Sequence, residues 1–170
     1  PRAMMDWRDA GTVGVVRAAG RRQHRRACWL DAIVSPGERR RFDALLEQVL
    51  AELPEPYRRL LEEAPLVVED APSKALLAQL GFEHPDDLCG LHEGLARTER
   101  SVEMPSLPDV ITLFRRGIIA QAGGWECTEL DGQACGGEAC VREEIRITLL
   151  HEMGHHFGLD EDDLDRLGYA

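Results

Sequence analysis

The stretch His151-Glu152-Met153-Gly154-His155-His156-Phe157-Gly158 constrains this chain more than any other part of it. On a helix, His151 and His155 stand at i and i+4 on one face, where both imidazoles can reach a single metal ion at about 2.0–2.1 Å. Glu152 sits beside them, able to take a proton from a water that a zinc ion has acidified. The residues before the motif predict the helix independently. Val141, Ile145 and Leu149 recur at helical spacing, and Ile147, Leu150 and Met153 widen the stripe. Glu143 and Glu144 near its start suit the helix dipole, and Gly158 can end it in a left-handed conformation that turns the chain sharply back.

A residue just past that turn can swing toward the metal. Counting from His151 as zero, the spacing His-Glu-x-x-His-x-x-Gly-x-x-Z puts Z at Glu161, within Asp160-Glu161-Asp162-Asp163. A carboxylate oxygen is an acceptable zinc ligand, so Glu161 is the expected third donor, with Asp160 and Asp162 as near alternatives. For the other acids of the run to Asp165, a solvated helix start is the preferred reading. Only 15 residues follow His155, too few for a long linker and a distant second helix. His156 points away from the pair and reads as a packing or supporting residue.

Length and charge narrow the class. A chain of 170 residues with 44% apolar content supports one domain with one core. Residues 1–30 hold seven arginines against Asp6 and Asp9, a net of +5, so the total of −11 leaves −16 for residues 31–170. An acidic domain argues against a nucleic-acid partner, since phosphate binding needs clustered Lys and Arg. The basic patch Arg17 to Arg26 is expected as part of a flexible extension over residues 1–34. No run reaches the ~18 apolar residues of a membrane helix, and Thr12 to Val16 is too short for a secretion signal. Five cysteines, an odd number, with no export signal predict reduced thiols and a cytoplasmic location. Cys127, Cys135 and Cys140 fall in a Gly-rich insertion at 123–140. They could clip that loop by a disulfide or a second, structural zinc, but the spacing fits no standard knuckle and a fourth ligand is missing, so one catalytic zinc is the expectation.

The domain proper is expected over 35–170. Ser35-Pro36-Gly37-Glu38 is a capping box, followed by Phe42, Leu45, Leu46, Val49, Leu50 and Leu53 at helical spacing. Pro54 and Pro56 stop that helix, and Glu55 to Glu63 predicts a short one. Leu66 to Asp70, Leu88 to Gly94 and Val110 to Phe114 read as strands, with a short helix from Pro72 to Leu80 closed by Gly81. A loop is expected from Leu95 to Pro108 and a helical turn from Arg115 to Ala122. The fold class is therefore α+β, a small sheet packed against helices and backing the site helix near the C-terminus.

With these residues in view, the chain resembles the small zincin-like proteins of bacteria described as possible zinc metallopeptidases, a minimal version of the zincin fold. The matching pieces are Arg41 to Glu47, Val67 to Asp70, Gly90 to Gly94 with Thr98 to Arg100, Leu107 to Arg115, and His151 to Gly158 running on to Leu164-Asp165-Arg166-Leu167-Gly168-Tyr169. The resemblance implies a zinc-dependent hydrolase acting on a peptide or protein substrate. Members commonly carry Asp where this chain has Glu161, which keeps the carboxylate and adds a methylene. The metzincin peptidases share the motif spacing but have a methionine turn under the metal, and no methionine occurs here beyond Met153.

The leading expectation is a metallopeptidase in which His151, His155 and Glu161 hold zinc and Glu152 activates water. Tyr169 is a candidate oxyanion donor, and Val110 to Phe114 a candidate edge for an extended peptide. One alternative is a non-catalytic zinc-binding or regulatory protein that retains the site. Another is an RNA-processing hydrolase of the kind that spaces three histidines at positions 0, 4 and 10. The acidic domain and the base Glu152 argue against it.

Overall fold

A computed structural model of the chain describes residues 13–17, 34–94, 109–130 and 133–168, with backbone alone for 13–17, for 128–135 where described, and for Glu161. The loop expected over 95–108, residues 1–12 and 18–33 of the extension, and Tyr169 lie outside the described residues.

Helix α1 (Pro36–Glu52) begins where the capping box predicts. The Ser35 hydroxyl accepts from the Glu38 N–H at 3.2 Å, and the Ser35 N–H donates to Glu38 Oε2 at 2.9 Å. Hydrogen bonds to its carboxylate from the Ser35 hydroxyl and then from the Ser35 backbone N–H hold the Glu38 carboxyl below its usual range. The apolar stripe Phe42, Leu45, Leu46 and Val49 is buried. It packs against the long helix α5 (Glu138–His156), whose Val141, Ile145 and Leu149 are fully buried. Helix α2 (Glu55–Glu63) follows directly and buries Leu60.

The sheet is ordered β1 (Val13–Arg17), β3 (Leu88–Glu93), β4 (Val110–Phe114), β2 (Leu66–Glu69). Strands β1 and β4 pair antiparallel to β3, and β2 pairs parallel to β4. Strand β1 lies inside the segment that the sequence offers as an extension, where its apolar run is too short to stand out. The sequence offers strand β4 as a candidate edge for an extended peptide. It is interior instead, hydrogen-bonded to β3 on one side and β2 on the other, so its backbone groups are already used.

Both faces of the sheet are covered. Cys89, Ile111 and Leu113 join the core formed with α1, α5 and α4 (Arg115–Gln121), while Leu88, Leu91 and Phe114 pack with Leu77 of α3 (Lys74–Leu80). That cover explains why β3 and β4 read as nearly continuous apolar runs rather than alternating ones. The Gly-rich insertion forms a small hairpin, β5 (Thr128–Leu130) with β6 (Gln133–Cys135), before α5. After α5 the chain turns into the short helix α6 (Glu161–Leu167). Among the described residues no helix is long and apolar enough to cross a membrane.

Candidate metal centre

The last turn and a half of α5 carries His151, Glu152, His155 and His156, all buried. The rings of His151 and His155 lie 4.6 Å apart between centroids and meet edge to face at 70°. His155 Nδ1 is 3.3 Å from the Leu159 carbonyl oxygen. A carbonyl only accepts, so Nδ1 carries the proton and Nε2 is left as the nitrogen that can bind a metal, the orientation a supporting acceptor normally imposes on a ligating histidine.

That carbonyl arrives because of Gly158. At φ 83° it takes the left-handed conformation that side chains disfavour, and the chain folds back so that the Gly158 and Leu159 N–H groups donate to the His155 and Gly154 carbonyls at 2.9 and 3.0 Å. Helix α6 then docks on α5. A Cβ on Gly154 would come within 2.4 Å of Leu164 Cδ2, and Leu164 is fully buried in that gap.

The run Asp160 to Asp163 begins α6. Asp160 is its N-cap, accepting from the Asp163 N–H at 2.9 Å, and Asp162 is exposed. Glu161 is the first residue of α6, on the turn that follows Gly158; its side chain lies outside the described residues. The other candidate acids thus have a capping or a solvated position. The donor chemistry at His151 and His155, with a carboxylate-bearing helix start directly after them, fits zinc.

Glu152 is fully buried against the sheet. A Cβ on Gly90 of β3 would fall 2.6 Å from Glu152 Oε1 and 2.8 Å from Thr148 Cγ2, so the carboxylate lies flat on bare backbone. The register against β1 skips Cys89 at this point, a bulge beside the site. Farther back on α5, burial pushes the Glu144 carboxyl up to about 7, with Glu143 adding to it. Burial also raises the Cys89 thiol.

His156 turns away from the His151–His155 pair. Its Nδ1 is 3.1 Å from Asp109 Oδ2, and its ring meets that of His92 edge to face at 5.7 Å. His92 and Asp109 were not singled out from the sequence as site residues, although both lie in segments that carry the resemblance. The available signal was polar: a histidine inside an apolar strand and an aspartate just before another. The Cys127 and Cys140 thiols are free, the first exposed and the second half-buried, and the side chain of Cys135 lies outside the described residues.

A sequence profile described as Zincin-like metallopeptidase matches residues 61–169, well over half of the chain. The match takes in β2, β3, β4, α5 and α6, the elements that surround the histidines. No curated protein matches the chain. On the extent of the profile match, the chain belongs to the zincin-like metallopeptidase family.

Proposed function

We propose that the protein is a zinc-dependent peptidase in which His151 and His155 hold the ion, Glu161 completes the protein ligands, and Glu152 is the general base. The observation that carries this reading is the bond from His155 Nδ1 to the Leu159 carbonyl, which leaves Nε2 as the metal-binding nitrogen of a ring whose centroid is 4.6 Å from that of His151. Bound zinc would supply a Lewis acid that polarises a carbonyl and lowers the pKa of water. Glu152 takes a proton from the attacking water as its oxygen bonds to the peptide carbonyl carbon. It then delivers that proton to the amide nitrogen as the C–N bond breaks, leaving a carboxylate and an amine. The Gly90 backbone under Glu152 and the His155 ring held by the Leu159 carbonyl keep both groups in place without reorganisation during the reaction.

The test is Glu152→Gln, which keeps the shape and removes the base. The variant should retain zinc by elemental analysis and keep the wild-type melting profile. Cleavage of a mixed peptide library should fall by ~10²–10⁴. Equal inertness of wild type and variant, with both carrying zinc, would make the protein a metal-binding rather than a catalytic member of its family.

A further inference from the structure

Beside the His151–His155 pair, and facing away from it, three buried donors come together from three elements. They are His92 of β3, Asp109 at the entry to β4 and His156, the last residue of α5. One ligand atom from each lies within 4.8 Å of the other two, and all three residues are between 0 and 4% exposed. We infer that this trio is a second divalent-cation site, distinct from the His151–His155 centre, that ties the end of α5 to the β3–β4 pair.

The geometry is already close to a coordination sphere. Donors bonded to one tetrahedral ion at about 2.0–2.1 Å stand about 3.3–3.4 Å apart. His156 Nδ1 and Asp109 Oδ2 are 3.1 Å apart, and the 4.8 Å limit on the other separations leaves a closure of about 1.5 Å or less, within reach of small side-chain rotations. The carboxylate is cradled. A Cβ on Gly94 would meet Asp109 Oδ1 at 1.9 Å and Asp109 Cγ at 2.7 Å, so the end of β3 is shaped to take that carboxylate and no side chain can replace the glycine without evicting it. One oxygen is seated on Gly94 and the other is turned to His156.

The donor set selects the ion. Two imidazoles and one carboxylate suit zinc and neighbouring transition metals, whereas calcium and magnesium want oxygen donors. Its role is structural support for the neighbouring centre, because His156 is covalently next to His155 and a bound ion would pin the helix end from which His155 projects. The site stands on its own residues, whether or not the His151–His155 pair supports turnover.

The experiment is a zinc and cobalt(II) titration of the chelator-stripped chain, read as bound equivalents by native mass spectrometry. Wild type should take two ions. Asp109→Asn and His92→Gln should each take one, and so should a chain carrying both His151→Ala and His155→Ala. Retention of that one remaining ion shows that each variant is folded. A single ion in the double-alanine chain that is lost on adding Asp109→Asn supports the trio even if the His151–His155 pair proves not to bind. One ion in wild type, kept in Asp109→Asn and lost in the double-alanine chain, overturns the second site. Two ions in Asp109→Asn, one of them released by thiol alkylation, also overturns it and moves the second ion to the cysteines.

Discussion

At position 90 a single methyl group decides how close the Glu152 carboxylate, the proposed general base, can come to the sheet. Gly90→Ala would set a Cβ 2.6 Å from Glu152 Oε1, and either the strand or the glutamate must move. The expected outcome is a stability loss of about 1–3 kcal/mol with zinc content unchanged and peptide cleavage reduced at least tenfold, measured by denaturant melts and turnover on the same preparation. Unchanged cleavage would mean that the carboxylate does not work from this position. Glu144 yields a pH prediction. Its folded value of about 7 lies above the ordinary 4.5, so between those values the folded chain holds a proton that the unfolded chain has released. Stability therefore falls as pH rises through that window and is level above it. Glu144→Gln should flatten that slope and raise stability at pH 8 by ~1–2 kcal/mol, a figure reduced for the water that reaches this part-buried group. Parallel slopes for wild type and variant between pH 5 and 8 would contradict the shift.

Among the elements, α6 matters out of proportion to its seven residues, because it carries Glu161 and is held to α5 through Leu164 in the gap over Gly154. Leu164→Ala should cost ~2–4 kcal/mol and weaken zinc binding, since the helix start that bears Glu161, the proposed third ligand, loses its anchor. Leu167→Ala, at a position 56% exposed, should change stability by less than ~0.5 kcal/mol and leave zinc affinity alone, which makes it the control. Equal zinc affinity in the two variants would indicate that α6 contributes no ligand. At the far end of the sheet, Arg115 from the start of α4 bonds Asp43 of α1 at 2.7 Å and Asp70 after β2 at 3.1 Å, and Arg39 of α1 also bonds Asp70. These charges lie in or beside segments that carry the family resemblance, and they act as a clamp between α1 and the strand ends.

For the whole molecule, bound zinc would take part in the folding equilibrium, because the proposed donors are assembled only in the folded chain. Zinc present at about a hundredfold over its dissociation constant adds ~2.7 kcal/mol. Stripping the metal should lower the melting temperature by roughly 5–10 °C, with full recovery on adding zinc, read by circular dichroism. No change on stripping would remove the metal from the account of the fold. The α+β class, helix α1 with its cap, α5 with its histidines and the three strands of the domain were all legible in the sequence, because each is written in local terms: a spacing, a capping pair, a glycine, an apolar run. Strand β1, the interior place of β4 and the His92–Asp109–His156 cluster were not. A strand's neighbours depend on pairing over tens of residues, and five residues inside an arginine-rich segment carry too little apolar pattern to announce a partner. His92 and Asp109 are 17 positions apart, and His156 lies 47 beyond Asp109. Their meeting is set by the packing of α5 on the sheet. The sequence by itself determined which side chains stand on the site helix. Only the tertiary structure decided what those side chains face, because burial against a distant strand is a property of packing and not of spacing.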